Sequence, residues 1–139
     1  MDAKELRLGN WVKGEGVQYQ ITYLDTHLKG TIIGGRNEGY SFTKPNIDEI
    51  KPVPLTEGWL LNFGFISDGE KIPSFNFEIE DGAILSVDIN GVWMVGYSYE
   101  WGSTTKRIKH VHQLQNLYFA LTEKELNEKK TYTSKKTWK

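Results

Sequence analysis

At 139 residues, with 17 basic and 18 acidic side chains and a formal charge of -1, the chain has room for one compact domain or two very small ones, which excludes a large multidomain enzyme. A composition that is 38% hydrophobic and 13% aromatic supplies a core and excludes global disorder. The absence of cysteine removes disulfides, thiolate zinc sites, iron–sulfur clusters and cysteine nucleophiles; with no apolar leader behind MDAKELRLGN and no run near ~20 apolar residues, a cytoplasmic protein that crosses no membrane is expected.

The first third alternates at the period of a pleated strand: Leu6, Leu8, Trp11 and Val12, then Val17, Tyr19, Ile21 and Tyr23, with Gly14 and Gly16 as turn residues between them. A hairpin is expected here. A third strand is expected at Thr31–Ile33, broken by Gly34-Gly35, and a fourth at Ile47–Lys51, together forming a small SH3-like antiparallel barrel. Pro52-Val53-Pro54 then disfavours helix, and Thr56 is placed to cap a short helix running to Phe63, with Trp59, Leu60 and Phe63 on its buried side and Gly64 as the left-handed stop. Asp81-Gly82 and Asn90-Gly91 each separate two β-prone runs, as two-residue primed turns do, and predict a three-stranded antiparallel meander. One face of it collects Phe75, Phe77, Ile79, Leu85, Val87, Ile89, Trp93, Val95, Tyr97 and Tyr99. The amphipathic segment VHQLQNLYFALT is expected as the helix covering that face, and Thr122 with Glu125 predicts a capped final turn through ELNEKK. The expected organisation is a single α+β domain over 1–128, with a barrel-like half 1–58 and a meander-plus-helix half 59–128, followed by a flexible Lys-rich tail at 129–139.

The near-neutral total conceals charge segregation. Residues 1–58 carry 7 basic and 8 acidic groups, residues 59–100 carry 1 and 7, and residues 101–139 carry 9 and 3. Glu78, Glu80 and Asp88 fall on the polar side of the meander and are read as an acidic partner-binding face. Lys106, Arg107, Lys109, Lys129, Lys130, Lys135, Lys136 and Trp138 mix cations with aromatic residues, the combination that neutralises phosphate and stacks on bases.

Chemistry beyond binding finds little support in the residues. His110-x-His112 is the only close histidine pair, and a structural or helix-end role outweighs metal ligation, which needs three or four convergent ligands. No serine sits in a G-x-S-x-G setting, and Gly34-Gly35-Arg36 lacks the pattern of a phosphate loop. A non-enzyme without cofactors is expected.

Three segments, LRLGNWV at 6–12, PVPLTEGWLLNFGF at 52–65 and VHQLQNLYFALTEKEL at 111–126, resemble a family of small proteins from Bacteroidetes prophages and mobile elements. Residues 24–50 and the tail fall outside the resemblance, and no catalytic residues come with it. It implies a phage-type genomic context, in which small proteins without an active site bind host machines, as anti-CRISPR proteins do. The implied partner is a host CRISPR effector or its guide RNA, with an inhibitor of the type VI-B RNA-guided RNase suiting size and context. A small RNA- or DNA-binding module of mobile-element origin is the alternative.

Overall fold

Along WVKG, Val12 and Gly14 are buried while Lys13 is exposed, the period of a half-buried strand, and Trp11–Gly14 forms β1 in the computed structural model of the chain. The structure describes residues 5–14, 16–27, 30–37, 40–44, 50–80, 82–97, 100–102 and 107–128. The fold is mixed α/β, with two antiparallel sheets and two helices among the described residues. The chain divides into two compact units, Met1–Leu55 with Ile108–Glu125, and Thr56–Arg107 with Leu126–Lys139.

In the first unit, β1 turns back into β2 (Val17–His27) through a tight loop in which Gly16 takes φ +81°. β3 (Gly30–Asn37), β4 (Tyr40–Lys44) and β5 (Ile50–Pro52) complete a sheet of order β4-β3-β2-β1-β5. The sheet stays open, with β4 and β5 as its two edges, so the expected SH3-like barrel is corrected: no sheet closes among the described residues. The Ile47–Lys51 strand is found as β5, shifted to Ile50–Pro52, with Ile47 outside the described residues. Gly34-Gly35 does not break β3 but lies inside it, paired with Tyr23 and Ile21. The reason is steric. The Tyr19 ring lies across Gly35, where a Cβ would fall into the ring and within 2.8 Å of the Gln20 carbonyl. Leu6, Val12, Tyr19, Ile21 and Ile50 form the core beneath this sheet, with Leu24 against it.

Helix α2 (Val111–Thr122) is also part of the first unit, where it contacts β1. Gln113 begins it by accepting at Oε1 from the backbone N–H groups of Lys109 (2.8 Å) and His110 (3.0 Å). Val111, Leu114 and Tyr118 are buried, as the helical spacing requires. The expectation that this helix covers the meander is therefore corrected; its partner is the N-terminal sheet. The expected cap at Thr122 is present, its Oγ1 accepting from Lys124 N–H (3.1 Å), but the helical turn expected after it is corrected. Thr122 Oγ1 donates back to the Tyr118 carbonyl (2.8 Å), Glu123 adopts the left-handed conformation at φ 60°, and the chain leaves the helix there.

The second unit starts with α1 (Glu57–Asn62), where Thr56 Oγ1 accepts from Trp59 N–H (3.3 Å) as the sequence predicts. Gly64 at φ +96° ends it in a Schellman arrangement: Phe65 N–H donates to Leu60 O, and Gly64 N–H to Leu61 O, both at 3.0 Å. Leu60 and Phe63 are buried, while Trp59 is half-buried. Strands β6 (Ile66–Ser67), β7 (Ser74–Glu80), β8 (Ala83–Asp88), β9 (Trp93–Tyr97) and β10 (Glu100–Gly102) pair in chain order. Five strands stand where three were expected. Phe75, Leu85 and Val87 are wholly buried on one face, and Phe77 meets the Phe65 ring at 5.0 Å between centroids. Asn90-Gly91 differs from a two-residue turn: Asp88 N–H donates to Val92 O, leaving a three-residue loop with Gly91 at φ +83°. Ile89 consequently leaves the apolar row and is 57% exposed.

Candidate nucleic-acid interface

Register decides what the acidic residues of the second unit can do together. Ser74 pairs with Asp88 and Glu78 with Ile84, so Glu78 and Asp88 share the face opposite Phe75 and Phe77. Asp88 lies four residues beyond Ile84 on β8, roughly 13 Å along the strand, and the two carboxylates sit toward opposite ends of the sheet. Glu78 is exposed. Asp88 is half-buried, its Oδ1 accepting from Asn90 N–H (2.8 Å) and Val92 N–H (3.0 Å). It braces a loop rather than extending a uniform charged face. Glu80 is placed by its backbone, opposite Ala83, and its side chain lies outside the description.

Of the predicted basic set, Arg107 and Lys109 are exposed. Lys109 lies where the chain re-enters the first unit; its carbonyl accepts from Leu55 N–H (2.9 Å), and Pro54 and His110 are bridge partners. Lys106, Lys129, Lys130, Lys135, Lys136 and Trp138 lie outside the described residues.

A basic feature that sequence reading missed is on the first sheet. Lys13 on β1 is directly opposite Lys51 on β5, and on its other side Lys13 faces Gln18 of β2. Both lysines are exposed, and neither has an ion pair with a described residue. Like charges opposed across strands are unfavourable: ammonium groups ~6 Å apart in water repel by ~0.7 kcal/mol before salt screening. Trp11, half-buried, precedes Lys13 by two residues and so shares its face of β1, and Gln20 is its register partner on β2. The alternating exposure of WVKG was the available signal. Which lysine would stand opposite Lys13 was not readable locally.

The two outer segments of the family resemblance, LRLGNWV and VHQLQNLYFALTEKEL, meet inside the first unit in a polar lock. Arg7 Nε donates to Asn116 Oδ1 (2.9 Å), its Nη1 to Glu125 Oε1 (2.8 Å), and its guanidinium carbon lies 4.2 Å from the Phe119 ring centroid. Buried Asn10 donates through Nδ2 to Asn116 Oδ1 (3.0 Å) and accepts at Oδ1 from Arg7 N–H (2.7 Å). Gln115 Oε1 accepts from Trp11 N–H (2.9 Å), while its Nε2 donates to the Gly9 carbonyl (3.0 Å). Asn116 Nδ2 reaches the Glu5 carbonyl (2.7 Å). These residues fasten the N-terminal segment to α2.

His112 lies beside the lock, almost wholly buried. Its ring stacks on His110 at 5.8 Å, and its Nε2 is 3.6 Å from Glu5 Oε1, longer than a direct hydrogen bond. Burial holds the imidazole below its usual pKa; Glu5 pulls the other way and His110 adds to the lowering. Among the described residues no group of three or more His, Cys, Asp or Glu side chains is arranged to hold a metal ion. Asp25, accepting a hydrogen bond from Tyr23 Oη (3.2 Å), raises the Tyr23 phenol pKa. No helix among the described residues is long and apolar enough to cross a membrane. Compared with known proteins, the chain matches no family model, no curated protein and no solved structure.

Proposed function

We propose that the protein is a non-catalytic, phage-type accessory protein that binds a host defence ribonucleoprotein and blocks its RNA-guided nuclease. One observation carries the reading: residues 59–100, with 7 acidic groups against 1 basic, are chemically opposite to residues 101–139, with 9 basic against 3 acidic. A ribonucleoprotein presents both complementary surfaces, cationic protein that lines a nucleic-acid channel and anionic RNA. Exposed Glu78 supports the acidic contact and exposed Arg107 and Lys109 the basic one. The test is target-RNA cleavage by a purified type VI-B effector loaded with guide RNA, with the protein added in increasing molar ratio. Dose-dependent loss of cleavage and co-elution with the complex are expected. Undiminished cleavage at large molar excess, repeated with other RNA-guided effectors, counts against the reading.

The opposed lysines Lys13 and Lys51 favour a second reading, a small nucleic-acid-binding module acting on free RNA or DNA. The two readings separate on whether the effector protein is needed: the module binds naked RNA and leaves cleavage unaffected at concentrations that bind the effector's guide.

A further inference from the structure

The Lys13–Lys51 pair is an electrostatic cost that the fold has no need of. Both positions are exposed, directly opposite in the β1–β5 register, and open to any polar residue, an acid included, that would turn repulsion into attraction. Opposed β-carbons stand about 5 Å apart, so the two flexible ammonium groups can converge on one phosphate or follow two successive ones. Trp11 of β1 and Gln18 of β2 share this face with Lys13. We propose that the outer face of β1 and β5, centred on Lys13 and Lys51, binds the backbone of single-stranded RNA. The inference deepens the second reading, the nucleic-acid-binding module, and rests on it, by naming the RNA-contacting surface.

The probe is a fluorescein-labelled 20-mer of uridine, titrated with the full chain and read by anisotropy between 50 and 200 mM salt. Each lysine that neutralises a phosphate on a single strand contributes about 0.7 to the slope of log affinity against log salt, which at 0.1 M is about fivefold in affinity. Lys13→Ala and Lys51→Ala are each expected to weaken binding about fivefold, and the double variant about 25-fold with a slope shallower by about 1.4. Lys51→Glu carries a second readout. It converts the repulsive pair into an attractive one, so the melting temperature is expected to rise by about 1–3 °C while RNA binding falls. A wild-type chain that does not bind the 20-mer, or a double variant with unchanged affinity and slope, overturns the proposal. Effector cleavage, measured on the same variants, keeps the two readings apart. Inhibition without RNA binding sinks this inference and leaves the ribonucleoprotein reading standing; lysine-dependent RNA binding without inhibition does the reverse.

Discussion

Gln115 offers the sharpest test of how the first unit is held together. Its side chain is 1% exposed, and it serves the N-terminal segment at two backbone groups: it accepts from Trp11 N–H at 2.9 Å and donates to Gly9 O at 3.0 Å. Gln115→Leu keeps nearly the same volume, so it deletes the polar bonds without opening a cavity. Gly9 O retains a donor in Gln20 Nε2 (3.1 Å), and Asn10 Nδ2 retains Asn116 Oδ1, so their losses are those of ordinary net bonds, about 1 kcal/mol together. Trp11 N–H loses its bond to Gln115 Oε1, a part-buried one whose loss costs about 1–3 kcal/mol. The expected total is about 2–4 kcal/mol, a large part of the ~5–15 kcal/mol that stabilises a typical domain, with a fall in melting temperature of roughly 10 °C.

Urea unfolding followed by far-ultraviolet circular dichroism measures this change, provided the slope with denaturant is unaltered. Gln113→Leu is the matched control on the same helix. Its acceptor serves Lys109 and His110 at the helix start, where water can take over, so about 1 kcal/mol or less is expected. A double-mutant cycle of Gln115→Leu with Asn10→Ala should show coupling above ~0.5 kcal/mol, because the two side chains lie in one network. If Gln115→Leu unfolds within ~0.5 kcal/mol of wild type, the lock is not what fastens the N-terminal segment to α2, and the reasoning is refuted.

Stability should also fall on acidification: His112 has a folded pKa below its unfolded value near 6.5, so the unfolded chain takes up the proton first. The contribution is complete above about pH 6.5 and is lost as pH drops through the interval down to the folded pKa. Melting temperatures from pH 7.5 to 5 should show the slope, and His112→Phe should reduce it; an unchanged profile in that variant would exclude His112 as its source. Gly35→Ala, which drives a methyl group into the Tyr19 ring, should destabilise by more than ~2 kcal/mol, whereas alanine at exposed Gly58, whose new Cβ meets only Thr56 Oγ1 at 3.7 Å, should be neutral or stabilising. Equal thermal shifts in the two variants would contradict the packing at Gly35. Asp88→Asn retains an Oδ1 acceptor for the 89–91 loop while removing charge, and Asp88→Ala removes both. Loss of about 1 kcal/mol in the alanine variant alone is expected, and equal losses in both would mean that charge, not the brace, matters at this position.

What was legible in the sequence was local. Thr56 and Gly64 bracket α1 because a cap hydroxyl and a left-handed glycine act within one helical turn of their own positions. The Val111–Thr122 helix was legible for the same reason, but its destination was not. Periodicity says that Leu114 and Tyr118 must be buried, not against which sheet, and the deciding groups are amides. Nothing in the helical spacing shows that Gln115 will satisfy Trp11 N–H and Gly9 O, or that Asn116 will satisfy Glu5 O. Alternation likewise placed Asp88 and Glu78 on one face correctly, yet it carries no information about which carboxylate a loop will recruit. Charge summed by segment brings out the contrast between residues 59–100 and 101–139 but not what lies inside a balanced segment. Residues 1–58 come out nearly balanced, so nothing marked Lys13 or Lys51; β1 and β5 become neighbours only after β2, β3 and β4 have turned back on one another, and only then do two unremarkable lysines stand opposed. Lys109 belongs to the first unit and Arg107 to the second, so the basic segment is shared between the two. Within a segment whose total is balanced, the charge that a partner meets is therefore set by strand register, as the opposed Lys13 and Lys51 show.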